Sequence, residues 1–163
     1  MIPFVEAPGG GAIGMSPCPG APAHDGDALL RHVAAFRAMG ASALVSLITA
    51  RENVPRTPRE IGDAAARAGL EWHWLPIADM HVPDREFEER WATAGPVLRA
   101  RLRRGERVVV HCRGGRGRSG TVAARLLVEL GVDPERAIAA VRAVNGGAIE
   151  TAAQELHVRG CVA

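Results

Sequence analysis

The sequence contains no lysine, and its net charge is close to neutral. All 20 basic residues are arginine, and with 18 acidic residues they leave a formal net charge of +2. A charge this small does not indicate binding to nucleic acid or to an acidic membrane surface. The use of arginine in place of lysine, beside abundant alanine, is typical of a GC-rich coding bias and carries no functional conclusion.

The sequence has only three cysteines, Cys18, Cys112 and Cys161, and they are not spaced as metal ligands are. It has no C-x-x-C pair, no hydrophobic segment of the secretory type and no apolar run long enough to span a bilayer. We therefore expect no transmembrane segment and a location in the reducing cytoplasm, where thiols stay reduced.

The length and the hydrophobic pattern predict one α/β domain over residues 1–163. Segments with apolar residues three and four apart alternate with short, continuously apolar runs, which predicts a mostly parallel sheet covered by helices on both faces. We find no internal repeat or linker. The predicted strands lie near 2–5, 12–15, 43–48, 71–75 and 108–111, and the predicted helices near 27–39, 58–68, 86–103, 118–130, 133–144 and 150–158.

The most informative segment, residues 111–121, reads HCRGGRGRSGT. The apolar run before it predicts a buried strand that ends at Cys112, and the three glycines allow successive backbone N–H groups to turn inward as a nest for an anion. A helix that begins at the far end adds its partial positive charge. Arg118, six residues after Cys112, is suited to bidentate contact with phosphate oxygens. This combination favours a nucleophile in a phosphate pocket over a structural cysteine beside a surface loop.

The chemistry that this segment predicts is attack by a cysteine on phosphorus. We expect Cys112 to be a thiolate at neutral pH, because an electropositive cradle stabilises the ionised sulfur. Ser119 would donate a hydrogen bond to that thiolate, and His111 would orient the backbone, since an ionised thiol needs no base. The predicted phosphate-binding residues are Arg113, Gly114, Gly115, Arg116, Gly117 and Arg118.

A second segment, residues 75–84, reads LPIADMHVPD and supplies a candidate proton donor. Asp79 precedes Cys112 by 33 residues, with one long predicted helix and one strand between them. Such a crossover would bring both loops to one edge of the sheet, where Asp79 could protonate the leaving oxygen and later activate water. Asp84 is the alternative acid, but it is better explained as the N-cap of the following helix.

These two segments together resemble the cysteine-dependent dual-specificity protein phosphatases, in particular the cyclin-dependent-kinase-associated phosphatase branch and its bacterial relatives. Two further segments resemble that branch, SPCPG at 16–20 and GAIET at 147–151, so the likeness runs from about residue 14 to residue 160. The resemblance implies a protein tyrosine phosphatase-like fold with a mixed sheet flanked by helices. It also implies hydrolysis of phosphomonoesters without a metal or another cofactor.

The resemblance also assigns roles by motif position. It implies that Cys112 is the nucleophile, Arg118 the phosphate clamp, Ser119 the partner of the thiolate and Asp79 the general acid. Relatives carry glutamine where this chain has Glu150, and that glutamine helps to position the hydrolytic water. Glu150 either orients water or only stabilises the first turn of its helix, while Gln154 is retained as a second possible water-positioning residue.

The expected substrate is a phosphorylated protein or a small-molecule phosphate ester. The sequence has no segment resembling the insertion that deepens a phosphotyrosine-only pocket, which favours phosphoserine and phosphothreonine as well as phosphotyrosine. Arg113 and Arg116 favour an alternative, inositol lipids or other polyphosphorylated molecules, and a phosphate-binding module with weak turnover is a further alternative. We interpret Arg51 and Glu52 as a solvated surface pair. The oligomeric state stays open.

Overall fold

The computed structural model describes residues 1–21 and 25–163. In this part of the chain, helices and strands follow one another much as the sequence predicts. The strands are β1 (Phe4–Glu6), β2 (Ala12–Ser16), β3 (Ala41–Ser46), β4 (Glu71–Trp74) and β5 (Arg107–His111). The helices are α1 (Ala28–Ala38), α2 (Pro58–Arg67), α3 (Arg85–Arg103), α4 (Gly117–Glu129), α5 (Pro134–Val144) and α6 (Ala152–Arg159).

The strands form one sheet in the order β1-β2-β5-β3-β4. Only β1 runs antiparallel to its neighbour, and the pairs β2–β5, β3–β5 and β3–β4 are parallel. The middle of central β5, Val108–Val110, is continuously apolar, as expected for a strand with both faces covered. Val108 and Val110 pack in the cluster that includes side chains of α3 to α6, whereas Val109 packs in the cluster that includes α1 and α2. The predicted mostly parallel α/β fold is confirmed.

The register of the sheet explains why the site lies where it does. His111 pairs with Ser16 on one side and with Ser46 on the other, and Ser46 pairs with Trp74. Four parallel strands therefore end at the same level, and the segments that leave them meet at one edge of the sheet. This is the edge at which α/β proteins bind ligands.

The largest difference from the predicted boundaries lies at β3. The apolar run at 43–48 predicted a strand, but the strand begins at Ala41 and ends at Ser46. Leu47 and Ile48 are fully buried although they lie beyond the strand. Apolar runs report burial rather than hydrogen bonding, so they extended the predicted strand into the turn toward the site. None of the helices in the described ranges has the length and hydrophobicity that crossing a bilayer requires.

Candidate active site

Cys112 directly follows β5 and lies at the base of a loop, residues 112–118, which we call the phosphate loop. The cysteine is buried. The backbone N–H of Gly115 donates a hydrogen bond to its Sγ at 3.2 Å, and the Ser119 hydroxyl lies 3.5 Å from the same sulfur. Two groups that stabilise an anionic sulfur thus face the predicted nucleophile.

Three carbonyl groups of the phosphate loop accept hydrogen bonds from outside it, one from the segment after β2 and two from the connection between α5 and α6. The three contacts are Cys18 N to Arg113 O at 3.1 Å, Asn145 Nδ2 to Gly115 O at 2.8 Å, and Ile149 N to Arg116 O at 3.3 Å. With these three acceptors engaged outside the loop, and with Gly115 N–H directed at the Cys112 sulfur, the loop is suited to act as an anion-binding nest. Asn145 was not predicted, because a single asparagine in a helix-terminal segment carries no motif.

Gly115 is the position in this loop where the backbone requires glycine. Its φ of +73° lies in the left-handed region, and a Cβ there would lie 2.5 Å from the backbone nitrogen of Pro17. Any other side chain would therefore both strain the loop and push it away from the end of β2. The close approach of the two backbones fixes the depth at which Cys112 sits.

Arg118 lies in the first turn of α4 and is almost completely buried. Its Nη1 donates to Glu52 Oε2 at 2.8 Å and to Ile77 O at 2.9 Å, and its Nη2 donates to Glu52 Oε1 at 2.6 Å. Asp79 Oδ1 lies 3.0 Å from Nη2. A guanidinium has five N–H donors, so Nε–H and the Nη2 hydrogen facing Asp79 are the two available to a phosphate.

Glu52 is the main residue that sequence reasoning misread. The interpretation of Arg51 and Glu52 as a solvated pair is wrong for Glu52, whose side chain is only 8% exposed and binds Arg118 through both oxygens. Burial is the largest single influence on the Glu52 carboxyl and would raise its pKa, but the hydrogen bonds from Arg118 and from Thr49 N, together with the charges of Arg118 and Arg113, hold the pKa below its usual value. Its place just after β3, a strand that ends at the same edge as β5, was the signal that could have found it.

The connection between β4 and α3, residues 75–84, lies beside the phosphate loop, and we call it the acid loop. It brings Asp79 to Arg118, with the other carboxylate oxygen of Asp79 3.9 Å from Arg113 Nη1. Asp84 instead accepts a hydrogen bond from Phe87 N at 2.9 Å and caps α3. Of the two aspartates, the structure therefore places Asp79 against the predicted phosphate clamp.

His111, the last residue of β5, is completely buried in a chain of hydrogen bonds. Its Nδ1 lies 3.3 Å from the Cys112 carbonyl, which can only accept, so Nδ1 carries the hydrogen. Nε2 then accepts from the Ser46 hydroxyl at 2.7 Å, and the Trp72 indole donates to the same hydroxyl at 2.8 Å. Burial lowers the pKa of His111 to about 4, so a neutral imidazole holds the backbone of the nucleophile.

The segment before α6 lies against the start of α4. The Glu150 carboxylate contacts Gly117 so closely that a Cβ there would clash with it. Gln154 is fully buried, and its Oε1 accepts from Glu150 N at 2.9 Å and from Thr151 N at 3.2 Å, while its Nε2 donates to His81 O at 3.2 Å. Both predicted water-positioning residues therefore border the phosphate loop.

Cys18 and the acidic side chains of the described residues form no second reactive site or metal site. Cys18 is buried, which raises its pKa to about 11, so it is an unreactive thiol at neutral pH. Within residues 1–21 and 25–163, no group of three or more His, Cys, Asp or Glu side chains is placed to hold a metal ion.

A cysteine that a parallel strand delivers to a loop at the N-terminus of a buried helix is the arrangement of the cysteine-dependent phosphatases. The chain belongs to the family described as the Swiss Army Knife protein, DSP-PTPase phosphatase domain, whose model matches residues 23–158. The predicted resemblance to dual-specificity phosphatases is confirmed.

Individual relatives support the same family. The chain is 37% identical over 99 residues to cyclin-dependent kinase inhibitor 3 of Homo sapiens, an alignment that covers 56% of this chain and 43% of the relative. Among solved structures, the fold matches kinase associated phosphatase (KAP) with a TM-score of 0.78 and 25% identity over 97% of this chain and 91% of that chain. It also matches Tk-PTP in its active form, with a TM-score of 0.70 and 26% identity over 96% and 93% of the two chains. The chain thus spans less than half the length of the curated relative.

Proposed function

We propose that this protein is a metal-independent phosphomonoester hydrolase that acts through a cysteinyl-phosphate intermediate. One observation carries the proposal: the buried Cys112 sulfur lies at the base of the phosphate loop, where the Gly115 N–H and the Ser119 hydroxyl both contact it. Arg118, the last residue of that loop, lies 3.0 Å from Asp79 of the neighbouring acid loop. A loop that only bound phosphate would need neither a nucleophile nor an acid.

In the first step, the Cys112 thiolate attacks phosphorus in line with the ester oxygen. Inward N–H groups and the two available donors of Arg118 take up the charge on the equatorial oxygens. A phosphate that binds Arg118 replaces Asp79 on Nη2, which frees the carboxyl group of Asp79 to face the ester oxygen. The ester bond breaks as Asp79 gives its proton to the leaving oxygen, and a sulfur–phosphorus bond forms.

In the second step, water attacks the cysteinyl phosphate. Asp79, now ionised, takes a proton from the water, the sulfur–phosphorus bond breaks, and Ser119 stabilises the departing thiolate. Glu150 lies against Gly117 and has carboxylate oxygens able to orient that water. The oxygen of Gln154 already accepts two N–H groups, which leaves only the second hydrogen of Nε2 for a water. Water positioning by either residue stays a prediction.

The substrate class we favour is phosphoproteins carrying phosphotyrosine, phosphoserine or phosphothreonine. Asp79 and Arg113, which border the site, have side chains 44% and 57% exposed, so the acid lies near the surface, as a shallow site requires. The name of the relative KAP, kinase associated phosphatase, agrees with a protein substrate. We further propose that residues 1–163 act as a single domain in the cytoplasm.

A second candidate is a polyphosphorylated small molecule or inositol lipid, and two arginines favour it. Arg116 is exposed and has no ion-pair partner among the described residues, and Arg113 has only the 3.9 Å contact with Asp79. Both guanidinium groups are thus available to additional phosphates. If this candidate is correct, Arg113→Gln and Arg116→Gln will slow hydrolysis of inositol phosphates far more than hydrolysis of phosphopeptides.

The decisive experiment is a phosphatase assay in the presence of a chelator, with phosphopeptides, inositol phosphates, phospholipids and nucleotides as substrates. We expect Cys112→Ser to lower turnover by roughly 10⁴-fold or more, since the covalent route is lost. The matched control is Cys161→Ser, which changes a thiol just beyond α6 and should retain full activity. Equal activity of Cys112→Ser and the parent would contradict the mechanism, and binding of phosphopeptides without turnover by the parent would indicate a binding module.

A further inference from the structure

The side-chain amide of Gln154 connects three parts of the site. Gln154 is the third residue of α6, and its amide is fully buried between the acid loop, the phosphate loop and the segment before α6. Its Nε2 donates to His81 O at 3.2 Å. Both Nε2 and Oε1 lie 3.2 Å from the position that a Cβ on Gly117 would take.

The hydrogen bonds determine which way this amide points. Oε1 accepts from two backbone N–H groups, those of Glu150 and Thr151. Rotating the amide by half a turn would put NH₂ hydrogens against those two donors and would turn the oxygen toward the His81 carbonyl, so every contact would become repulsive. Nε2 must therefore face His81, and the bond between them is a property of this glutamine.

The acid loop depends on outside contacts for its shape. Met80, next to Asp79, has a φ of +63°, a conformation that costs energy for a residue other than glycine. The turn is closed locally by the bond from His81 N to Ala78 O at 3.0 Å. Outside the loop, Arg118 holds the carbonyl of Ile77 on one side of Asp79, and Gln154 holds that of His81 on the other.

We propose that Gln154 is a positioning residue for the general acid, which fixes the acid loop so that Asp79 faces the leaving oxygen. The proposal rests on the proposed function, because it assumes the acid role of Asp79. It concerns the first chemical step, whereas a water-positioning role would concern the second. The two roles therefore predict different kinetics.

The test uses variants that separate the donor from the helix cap. Gln154→Glu keeps an oxygen for the N–H groups of Glu150 and Thr151 but loses the Nε2 donor to His81, and Gln154→Met loses all three bonds without adding charge. Thr151→Ala is the matched control, because it removes the cap bond to Gln154 N and leaves the Nε2 donor in place. Each variant is assayed as the full chain with phenyl phosphate and with 4-nitrophenyl phosphate, whose phenol is the more acidic.

If Gln154 positions the acid, both Gln154 variants will lower kcat/KM for phenyl phosphate by about 10- to 100-fold, a part of the usual contribution of a general acid. The loss on 4-nitrophenyl phosphate will be less than about threefold, because its leaving group needs little protonation. The double variant Asp79→Asn, Gln154→Glu will have the same kcat/KM for phenyl phosphate as Asp79→Asn alone, because the acid that Gln154 positions is already lost. Equal losses on both substrates, or unchanged kcat/KM with accumulation of phosphoenzyme, would overturn the proposal.

A readout without turnover keeps this proposal distinct from the proposed function. Amide hydrogen exchange across residues 78–82 should be faster in Gln154→Glu and Gln154→Met than in the parent and in Thr151→Ala. Unchanged exchange in that segment would show that Gln154 does not hold the acid loop, even if the enzyme is active. If the parent lacks activity, or Cys112→Ser retains it, the proposed function fails, and the exchange measurement still decides whether Gln154 holds the acid loop.

Discussion

The two loops that form the site differ in how firmly the protein holds them. In the phosphate loop, Cys112 and Arg118 are buried, and three carbonyls are held from outside by other segments. In the acid loop, the side chain of Asp79 is 44% exposed and that of the neighbouring Met80 is also exposed. Charge stabilisation requires fixed dipoles, and the phosphate loop, held from outside, supplies them. Proton transfer requires a group that meets both substrate and water, and the exposed loop supplies one.

The largest effect we expect after loss of the nucleophile comes from removing the acid. Asp79→Asn should lower kcat/KM for phenyl phosphate by about 10²–10³-fold, because a neutral amide cannot protonate the leaving oxygen. The loss should nearly vanish for substrates with strongly acidic leaving groups. A series of aryl phosphates measured at one pH gives the slope against leaving-group acidity.

Asp84→Asn is the matched control for this prediction. Asparagine caps helices as well as aspartate does, so α3 should stay intact and kcat/KM should stay within about twofold of the parent. If Asp84→Asn shows the leaving-group-dependent loss and Asp79→Asn does not, the assignment of the acid is wrong.

A smaller effect should follow from weakening the contact by which Glu52 holds Arg118 at the end of the phosphate loop. Glu52→Gln keeps the shape of the side chain but removes the buried charge opposite Arg118. Removing one partner of a buried ion pair costs about 3–5 kcal/mol of unfolding free energy, and the half-exposed Asp79, 3.0 Å from Arg118, compensates only part of that cost. We expect about a tenfold loss of kcat/KM on all aryl phosphates alike, since Arg118 binds phosphate whatever the leaving group. Chemical denaturation and the same substrate series measure both quantities.

Glu89→Gln is the control for Glu52→Gln. Glu89 pairs with Arg85 on the surface, where side chains are 64% and 93% exposed, and such a pair contributes less than about 1 kcal/mol. Glu52→Gln should therefore lose more stability than Glu89→Gln. If it does not, the buried pair of Glu52 and Arg118 does not hold Arg118 in place.

The same contrast explains what the sequence predicts and what it misses. The phosphate loop and the acid are contiguous motifs in which each residue type has a local reason, so Cys112, Arg118 and Asp79 stand out in the sequence alone. The fold follows from apolar runs that alternate with helical periodicity. Glu52 and Asn145 act through contacts with residues 66 and 30 positions away along the chain. No local pattern encodes such pairs, and only the shared edge of the parallel strands brings them together.

The last prediction concerns the strand that holds the nucleophile rather than the chemistry. His111 is neutral when folded, with a pKa of about 4, against an ordinary value of 6.5 when unfolded. As the pH falls from 6.5 to 4, the unfolded chain binds the proton and the folded chain does not, so stability is lost through this range and the loss is complete below about pH 4. The shift corresponds to about 3 kcal/mol.

His111→Gln isolates this contribution, because every other titrating group is common to both proteins. The parent should be the more stable at pH 7, and the difference in unfolding free energy between parent and variant should shrink by about 3 kcal/mol between pH 7 and pH 4. Denaturant unfolding at a series of pH values measures that difference directly. A difference that does not change with pH would mean that His111 binds a proton as readily in the folded protein as in the unfolded chain, and so becomes charged in the folded protein below about pH 6.5. The bonds from Nδ1 to the Cys112 carbonyl and from Ser46 to Nε2 would then need reassignment, and His111 would add a positive charge beside the nucleophile.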